Sequence, residues 1–247
     1  MKCIILAAGY ATRLYPLTEN FPKPLLKVKD KTILDWLVDD IASSKKVNEF
    51  IVVSNHKFVD HFNEWATNKV CDAKITVIDD GTISNETRKG AVVDIQIAID
   101  AVGIDEDCMV IAGDNVLDFS LSKFIEYFLQ KGHTSIMRYY EERTEKIKKS
   151  ASVSFDESDL VLKMVEKPEN PDSNWCVPPF YIYAKEDVEK VKVALESGCN
   201  KDAPGSYINW LYERSKVYAM EMPGKRYDIG NLESYQVVCE NYAGILN

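Results

Sequence analysis

Two cations and a run of small residues follow the first apolar segment of the chain. In the stretch LAAGYATRLYPLTENFPKPLLKV, residues 6–28, Ala8 and Gly9 come directly after an apolar run. Small residues let the backbone amides at a strand end approach a ligand closely and bind phosphate oxygens. Arg13 adds a planar fork of donors suited to phosphate, and Lys23, between two prolines, adds an ammonium from a stiffened loop. This arrangement predicts a polyphosphate site.

Acidic residues stand at two later points where apolar stretches end. Residues 109–112 run into GDN, which contains Asp114, and Asp228 lies in RYDIG. Two carboxylates brought together from distant parts of a chain repel each other and require a cation. Mg²⁺ suits them, because it prefers oxygen ligands and usually shares them with substrate phosphates. The alternative for Asp114 is a helix cap, for which Asp118 and Ser120 are equally good candidates.

An acid and a cation stand together in MVEKPENP. Glu166 and Lys167 directly follow an apolar run, residues 160–165. A lysine can neutralise a phosphomonoester, and a glutamate can accept hydrogen bonds from sugar hydroxyls. The plainer interpretation of such a dipeptide is a solvated surface pair. Three aromatic residues have two interpretations, as pocket lining or as core: Trp175, Tyr181 and Trp210.

The stretch DDGTISNETRKGAVVDI combines a turn with the start of a predicted helix. Asn85 carries a carboxamide that both donates and accepts hydrogen bonds, as the edge of a pyrimidine requires, and Gly90 lets a base approach the backbone. Asn85 is an equally good helix or turn cap. Arg88 is either a surface cation or a phosphate ligand. Both alternatives stay open from the sequence.

The elements that must position these residues are visible as apolar patterns. Short apolar runs predict strands buried on both faces at residues 3–6, 50–54, 75–78 and 109–112. Apolar stripes with helical spacing occupy residues 33–41, 91–99 and 121–129. Alternating strands and helices predict a mainly parallel sheet covered on both sides, with ligands bound beyond the carboxyl ends of the strands.

The second half of the chain has a different pattern. Strand-like runs follow one another with little helix between them, at residues 134–140, 151–155, 160–165 and 180–183. Helical patterns then cover residues 188–195, 207–212 and 232–242. We therefore expect one α/β domain, residues 1–247, with antiparallel strands added in its C-terminal half. We expect two halves, residues 1–130 approximately and residues 131–247.

Composition limits the classes of function. The chain has 247 residues, a formal net charge of −9 and a sequence pI of about 5.0, which argues against nucleic acid or anionic lipid as a partner. No stretch approaches the roughly 20 apolar residues of a membrane helix, and no signal peptide is evident. The six cysteines are scattered without metal-ligand spacing. We expect reduced thiols and a cytoplasmic protein.

The string at residues 6–28 resembles the signature AAGxGTRLxPLTxxxPKPL of the sugar nucleotidyltransferases, enzymes similar to glucose-1-phosphate thymidylyltransferase. GDN, the EKP block and the later D-G pair follow in the family's order, up to about Tyr235. The resemblance implies a single Rossmann-like three-layer domain with a mainly parallel, mixed sheet. It also implies that residues 1–130 approximately are a nucleotide-binding half and residues 131–247 a sugar-phosphate-binding half. It does not extend to a P-loop, because the GxxxxGK[ST] spacing is absent.

The resemblance also implies roles for individual residues. The nucleotide would be bound by Leu6, Ala8, Gly9, Arg13, Asn85, Gly90 and Asp114. The sugar phosphate would be bound by Glu166, Lys167 and Asn115. Mg²⁺, the implied cofactor, would be held by Asp114 and Asp228. The catalytic cations would be Arg13, Lys23 and Lys167.

The implied reaction is transfer of a nucleotidyl group from a nucleoside triphosphate to a sugar 1-phosphate. Uracil or thymine is the first expectation for the base, so UTP or dTTP, and cytosine, from CTP, is the second. One alternative is a cytidylyltransferase acting on phosphocholine or a similar phosphate ester, with the aromatic residues as a cage for the cation. Another is a non-catalytic sensor of nucleotide sugars. A homo-oligomer is possible in each case.

Three positions depart from the family pattern. Ala11 stands where the signature has a second glycine, and a left-handed backbone there would strain alanine. Asn85 replaces a longer glutamine. Pro178 and Pro179 stand where a glycine is common, and proline has no amide hydrogen to offer a hexose. The identity of the sugar is therefore left open by the sequence.

Overall fold

The structure, a computed structural model, describes residues 1–246. Its strands are β1 (Lys2–Leu6), β2 (Lys27–Val28), β3 (Lys31–Thr32), β4 (Glu49–Ser54), β5 (Lys74–Asp79), β6 (Cys108–Ala112), β7 (Asn115–Leu117), β8 (Ser135–Tyr140), β9 (Ala151–Phe155), β10 (Val161–Glu166), β11 (Trp175–Val177), β12 (Phe180–Tyr183), β13 (Tyr218–Glu221) and β14 (Arg226–Asp228).

Its α-helices are α1 (Ile33–Ser43), α2 (Val59–Asn68), α3 (Ala91–Val102), α4 (Ser122–Lys131), α5 (Thr144–Ile147), α6 (Lys185–Val188), α7 (Val191–Glu196), α8 (Gly205–Leu211) and α9 (Leu232–Asn241). Short 3₁₀ helices cover Thr12–Leu14, Lys23–Leu25 and Asn85–Thr87. Within residues 1–246, no helix combines the length and the apolar character that a bilayer crossing requires.

The chain forms two compact units that are interleaved in sequence. Unit 1 contains residues 1–89, 112–122 and 223–246, and unit 2 contains residues 90–111 and 123–222. The assignment of residues 1–247 to a single domain, with halves that meet near residue 130, stays a prediction.

Unit 1 is built on parallel strands. β4 lies between β1 and β5, and both neighbours pair with it in parallel. Every residue of β4 is buried, as expected for a parallel strand covered on both faces. β5 has no buried residue, so the prediction of burial on both faces is wrong for residues 75–78, because β5 is the last strand of the sheet. In the same unit, the short strands β7 and β14 form a separate antiparallel pair. This pair was absent from the sequence-based prediction, because strands of three residues give no measurable periodicity.

Unit 2 is mainly antiparallel. Its strands follow the order β10, β9, β11, β8, β12, β6, and each neighbouring pair is antiparallel. β13 adds to β8 in parallel. The prediction of an α/β fold with parallel strands and added antiparallel strands in the C-terminal half is therefore confirmed.

Of two helices in unit 1, α1 was predicted from the sequence and α2 was not. α1 begins with a reciprocal cap, in which Thr32 Oγ1 accepts from the Asp35 amide at 2.9 Å and the Asp35 carboxylate accepts from the Thr32 amide at 3.2 Å. Its predicted apolar stripe is buried. α2 was missed, because Phe62 is its one buried residue among those described, and a single buried position makes no stripe.

The buried carboxylate of Glu49 on β4 contacts side chains of both neighbouring strands, β1 and β5. Glu49 stands in register with Lys2 of β1 and Lys74 of β5. Its carboxylate lies 2.9 Å from Lys2 Nζ and 2.8 Å from Lys74 Nζ, and Thr76 Oγ1 donates to it at 2.7 Å. Burial by itself would raise the pKa of the Glu49 carboxyl, but these three partners lower it to about 2.

The substitution Glu49→Gln should reduce the free energy of unfolding at pH 7 by about 2–3 kcal/mol. A carboxyl whose pKa is lowered on folding stabilises the protein above its ordinary pKa of 4.5 and loses that effect as the pH falls toward 2. Urea denaturation of both proteins between pH 7 and pH 2.5 should therefore show a difference that shrinks with acid.

The matched control is Glu64→Gln, since Glu64 is an exposed carboxylate on α2. It should change the free energy of unfolding by less than about 0.5 kcal/mol at either pH. A Glu49→Gln protein as stable as this control at pH 7 would contradict the role assigned to the buried carboxylate.

Candidate functional site

The loop after β1 is hydrogen-bonded to the end of β4 and to the residue that follows it. The Ala7 amide donates to the Val53 carbonyl at 2.9 Å, and Asn55 Nδ2 donates to the Ala8 carbonyl at 3.0 Å. Asn55 is fully buried, so this contact is part of the folded framework. These two hydrogen bonds fix the loop that contains Ala8 and Gly9 against the end of β4, and Asn55 is a supporting residue that the sequence analysis did not identify.

Ala11 occupies the left-handed backbone region, with φ 47° and ψ 41°. An L-residue in that region costs roughly 1–2 kcal/mol relative to its usual conformation. The Ala11 side chain packs against a core cluster that includes Leu14 and Ile229, and this contact offsets part of the strain. The 3₁₀ helix that follows buries Leu14 and leaves Arg13 exposed.

Lys23 is a buried lysine at the start of a 3₁₀ helix. Pro22 is extended and Pro24 lies inside that helix, which fixes the backbone on both sides of Lys23. The Lys23 side chain is only 8% exposed, and its Nζ lies 2.8 Å from Asp114 Oδ2. The cation of the first loop and the acid after β6 are therefore in direct contact.

Asp114 is oriented by a chain of polar contacts. Asn115 Nδ2 donates to Asp114 Oδ1 at 3.0 Å, and Arg226 Nη1 donates to Asn115 Oδ1 at 2.9 Å. Burial acts to raise the pKa of the Asp114 carboxyl, but Lys23 and Arg226 outweigh it and hold the pKa below its ordinary value. Asp114 is therefore ionised at neutral pH. Arg226 was not among the predicted site residues.

The contacts of Asp114 decide between the two sequence interpretations. Its oxygens accept from Lys23 and Asn115, whereas the amide of Ser122, the first residue of α4, donates to Ser120 Oγ at 3.1 Å. Asp114 therefore does not cap the next helix, and its role as a nucleotide and metal ligand stays a prediction. The Asn115 side-chain amide is hydrogen-bonded to Asp114 and Arg226. Its predicted contact with a sugar phosphate stays a prediction.

Asp228 lies beside this centre. β14 pairs with β7 so that Asp228 stands directly opposite Asn115, the residue after Asp114. The two carboxylate segments that the sequence places far apart thus meet at the ends of adjacent strands. Asp228 is exposed, and Asp114 is 44% exposed at its side chain.

These carboxylates suit a hard cation. Mg²⁺ prefers carboxylate oxygens and usually completes its shell with waters and phosphate oxygens, so it needs few protein ligands. Within residues 1–246, no group of three or more His, Cys, Asp or Glu side chains converges as a metal site. A magnesium ion between Asp114 and Asp228 would therefore depend on substrate oxygens for the rest of its ligands.

A cleft of about 350 Å³ opens in unit 1, and Asp114 lines it but Asp228 does not. Its walls include Lys23, Arg88 and most of the predicted nucleotide site, namely Leu6, Ala8, Gly9, Arg13, Asn85 and Asp114. Other lining residues, including Tyr10, Thr12, Ile229 and Gly230, were not predicted. The structure thus brings the loop cations, one site carboxylate and the Asn85 segment around one cavity.

Gly90 lies in unit 2, where it has a structural reason to be glycine. Its φ is +98°, and a Cβ at this position would lie 2.4 Å from the Lys201 carbonyl oxygen. The next amide, that of Ala91, donates to the Asp202 carbonyl at 3.3 Å. Close backbone packing therefore explains this glycine, and its predicted contact with a base stays a prediction.

A second cavity, of about 520 Å³, lies in unit 2. It is lined by Glu166 and Lys167, at the end of β10, and by residues of α8 that include Ser206 and Trp210. Burial raises the pKa of the Glu166 carboxyl; Lys167 opposes this shift and Asp202 adds to it. The Ser206 hydroxyl is buried and has no hydrogen-bond partner. Both groups suit a ligand with hydroxyls.

The three aromatic candidates have different positions. Trp175 packs against Tyr140 and Phe155, and Tyr181 is only 2% exposed. Of the three, Trp210 lines the unit 2 cavity. Trp175, Tyr181 and Trp210 therefore do not together form the aromatic cage that a choline group would require.

An α/β protein with a cation-lined cleft beyond parallel strands fits the class that binds ligands at the carboxyl ends of its strands. The particular family follows from sequence comparison. The chain belongs to the nucleotidyl transferase family, whose sequence model matches residues 2–244.

Individual relatives are distant. The chain is 27% identical over 235 residues to the bifunctional protein GlmU of Methanocaldococcus jannaschii, covering 93% of this chain and 51% of that protein. It is 25% identical over 244 residues to the UTP–glucose-1-phosphate uridylyltransferase AglF of Haloferax volcanii, covering 93% and 91%. The chain spans only 50–59% of the length of three relatives, GlmU among them.

Solved structures support the fold. A UDP-glucose pyrophosphorylase complexed with UDP-glucose superposes with a TM-score of 0.82 at 22% identity, over 98% of this chain and 97% of that one.

The coupling between Lys23 and Asp114 can be measured by a double-mutant cycle of Lys23→Met and Asp114→Asn. Because the Lys23 ammonium is almost fully buried, Asp114→Asn should lower the free energy of unfolding at pH 7 by about 1–3 kcal/mol. The double variant should recover part of this loss, since no charge is then left without its partner. Urea denaturation gives the four free energies.

The exposed pair Lys163–Asp172, whose side chains are 52% and 55% exposed, is the matched control. Its coupling energy should fall within about 0.2–1 kcal/mol, as for other surface pairs. Equal coupling in the two cycles would show that burial adds nothing to the Lys23–Asp114 contact.

Proposed function

We propose that this protein transfers a nucleoside monophosphate from a nucleoside triphosphate to a sugar 1-phosphate, which yields a nucleotide sugar and pyrophosphate. The observation that carries the proposal is the unit 1 cleft, in which Arg13, Lys23 and Asp114 line one cavity. A site with an arginine and a lysine beside an ionised carboxylate suits a polyphosphate that arrives with a divalent metal. Family membership supports the same reaction.

The chemistry needs no covalent intermediate with the protein. An oxygen of the sugar 1-phosphate attacks the α-phosphorus of the triphosphate, a new phosphorus–oxygen bond forms, and the bond to pyrophosphate breaks. The attacking oxygen is already anionic, so no general base is required and no proton is transferred. Catalysis then depends on alignment of the reactants and on charge neutralisation.

The chain's own cations supply much of that neutralisation. Arg13 and Lys23 bind the triphosphate and stabilise the charge that develops on the leaving pyrophosphate. Lys167 binds the phosphate of the acceptor, and Glu166 accepts hydrogen bonds from sugar hydroxyls. Asp114 holds Lys23 in position, and a charge that is held in position needs little reorganisation at the moment of reaction.

The proposal includes Mg²⁺ as cofactor, held by Asp114 and Asp228. When bound, it would neutralise phosphate oxygens as the α-phosphorus becomes pentacoordinate. The lowered pKa of Asp114 supports this assignment, because a metal ligand must be deprotonated.

For the nucleotide, UTP or dTTP is proposed first and CTP second. The uridylyltransferase name of the Haloferax relative supports the first choice. The sugar is left open, since Pro178 and Pro179 offer no amide hydrogen to a hexose. We also propose a cytoplasmic location, which the free state of all six cysteines supports, and a homo-oligomer stays a prediction.

The test is an activity panel. The wild-type chain with Mg²⁺ is incubated with each common nucleoside triphosphate and a set of sugar 1-phosphates and phosphocholine, and pyrophosphate release is recorded. Turnover with a sugar 1-phosphate supports the proposal. Turnover with phosphocholine alone would favour the cytidylyltransferase alternative, and tight nucleotide-sugar binding without turnover on any acceptor would favour the non-catalytic sensor.

Removal of either loop cation should abolish most of this activity. Arg13→Ala and Lys23→Ala should each lower turnover on the order of 100-fold or more, because each removes a charge that stabilises the leaving pyrophosphate. Arg13 is exposed, so its variant should keep wild-type stability. The control Lys27→Ala removes an exposed cation that does not line the cleft, and it should retain nearly full turnover.

A substitution at Gly205 tests the acceptor site. A Cβ at this position would lie 2.4 Å from Glu166 Oε2, so Gly205→Ala should displace the Glu166 carboxyl while the helical backbone tolerates alanine. Affinity for the sugar 1-phosphate should fall about 10-fold, and affinity for the nucleoside triphosphate should not change. Calorimetric titration measures both, with Glu166→Gln for comparison. Unchanged affinity for the sugar phosphate would remove Glu166 from the acceptor site.

A further inference from the structure

Lys23 is fixed over one oxygen of Asp114. Its side chain is almost fully buried, and its Nζ lies 2.8 Å from Asp114 Oδ2. Pro22 precedes the 3₁₀ helix that begins at Lys23, and Pro24 lies inside it; each proline fixes its own backbone φ angle. The Lys23 ammonium is therefore confined to this side of the carboxylate.

The other oxygen of Asp114 also has a donor, and a second cation stands behind that donor. Asn115 Nδ2 donates to Asp114 Oδ1 at 3.0 Å, and Arg226 Nη1 donates to Asn115 Oδ1 at 2.9 Å. Burial acts to raise the pKa of the Asp114 carboxyl, and Lys23 and Arg226 outweigh it. The negative charge of Asp114 is therefore compensated by cations of the chain itself.

These cations oppose a further positive charge at the same carboxylate. Mg²⁺ binds carboxylate oxygens at about 2.1 Å, so an ion on Asp114 Oδ2 would lie within about 5 Å of the Lys23 ammonium. Like charges at that distance repel strongly where solvent does not fully screen them. Asp228, the second predicted metal ligand, is exposed, and an exposed carboxylate adds little attraction. A bare divalent ion is therefore disfavoured at Asp114.

A triphosphate reverses this balance. It carries several negative charges, and its oxygens bind ammonium, guanidinium and metal ions. Arg13, Lys23 and Asp114 line the same cleft, so phosphate oxygens in the cleft would stand between the cations of the chain and a metal ion on Asp114. Repulsion between positive groups is then replaced by their common attraction to one ligand.

We infer that Lys23 excludes a free divalent ion from Asp114 and admits one only together with a triphosphate. The inference rests on the proposed function, because it takes Asp114 as the metal ligand. It adds a role that charge neutralisation of pyrophosphate does not contain, since one side chain opposes the metal alone and favours the metal–triphosphate complex. Removal of the Lys23 charge should therefore have opposite effects on the two ligands.

Metal binding in the absence of an acceptor tests the inference. Dissociation constants are measured by calorimetry at low ionic strength for Mn²⁺ alone and for Mn²⁺ with inorganic tripolyphosphate, which has no base. Lys23→Met should bind Mn²⁺ alone at least about 10-fold more tightly than the wild-type protein, because the repulsion is removed. It should bind the Mn²⁺–tripolyphosphate complex at least about 10-fold more weakly, because a phosphate ligand is lost.

Three further variants locate the effect. Lys23→Gln keeps a hydrogen-bond donor toward Asp114 without the charge, so both shifts should keep their direction. Asp114→Asn in the Lys23→Met background should abolish the gain for Mn²⁺ alone, because the ion then lacks its carboxylate. Arg13→Met removes an exposed cation of the same cleft. It should weaken the complex and change the affinity for Mn²⁺ alone by less than about threefold, because solvent screens an exposed charge.

Three results would overturn the inference. They are an unchanged or weaker affinity of the two Lys23 variants for Mn²⁺ alone, a gain that persists after Asp114→Asn, and an affinity for the complex that does not fall. Urea denaturation of the same preparations establishes that each variant is folded. A wild-type protein that releases pyrophosphate while the Lys23 variants show no gain keeps the transferase proposal and fails this inference. Opposite shifts in a protein that releases no pyrophosphate keep this inference and fail the transferase proposal.

Discussion

The contact between Lys23 and Asp114 is the interaction on which the unit 1 site depends. An almost fully buried ammonium requires a counter-charge, and the fold supplies one from the segment after β6. The same carboxylate is held by Asn115, which is held in turn by Arg226. The first loop, β7 and β14 are thus connected by charge-assisted hydrogen bonds. These contacts fix the positions of the charged groups relative to one another.

The two units contain cavities of different chemistry. The cleft of unit 1 has cations beside an ionised acid, which suits phosphate. The cavity of unit 2 has a glutamate whose pKa is raised by burial and a serine hydroxyl without a partner, which suits a ligand with hydroxyls. Coulombic attraction would therefore dominate ligand binding in the first cavity and hydrogen bonding in the second.

Local packing explains the residue type at two positions of the family pattern, Ala11 and Gly90. Ala11 adopts a backbone conformation that glycine would adopt without strain, and its methyl group gains contacts with the core cluster of unit 1. Gly90, by contrast, cannot be replaced without a collision with the Lys201 backbone. Gly90 thus has a structural role that involves no ligand. Ala11 adopts the conformation that a glycine at its position would adopt, so the replacement need not change the loop.

The sequence by itself determined the local features of this protein. Continuous apolar runs identified the strands β1, β4, β5 and β6. The loop signature identified Arg13 and Lys23 as the cations that follow β1. Each of these signals lies within a few neighbouring residues.

Only the tertiary structure decided which distant groups meet. Arg226 behind Asn115, Asp228 opposite Asn115, and Gly205 against Glu166 have no sequence signal of their own. They result from strand register and from close approach of backbones, and such contacts are set by how the whole chain packs and not by the spacing of residues along it.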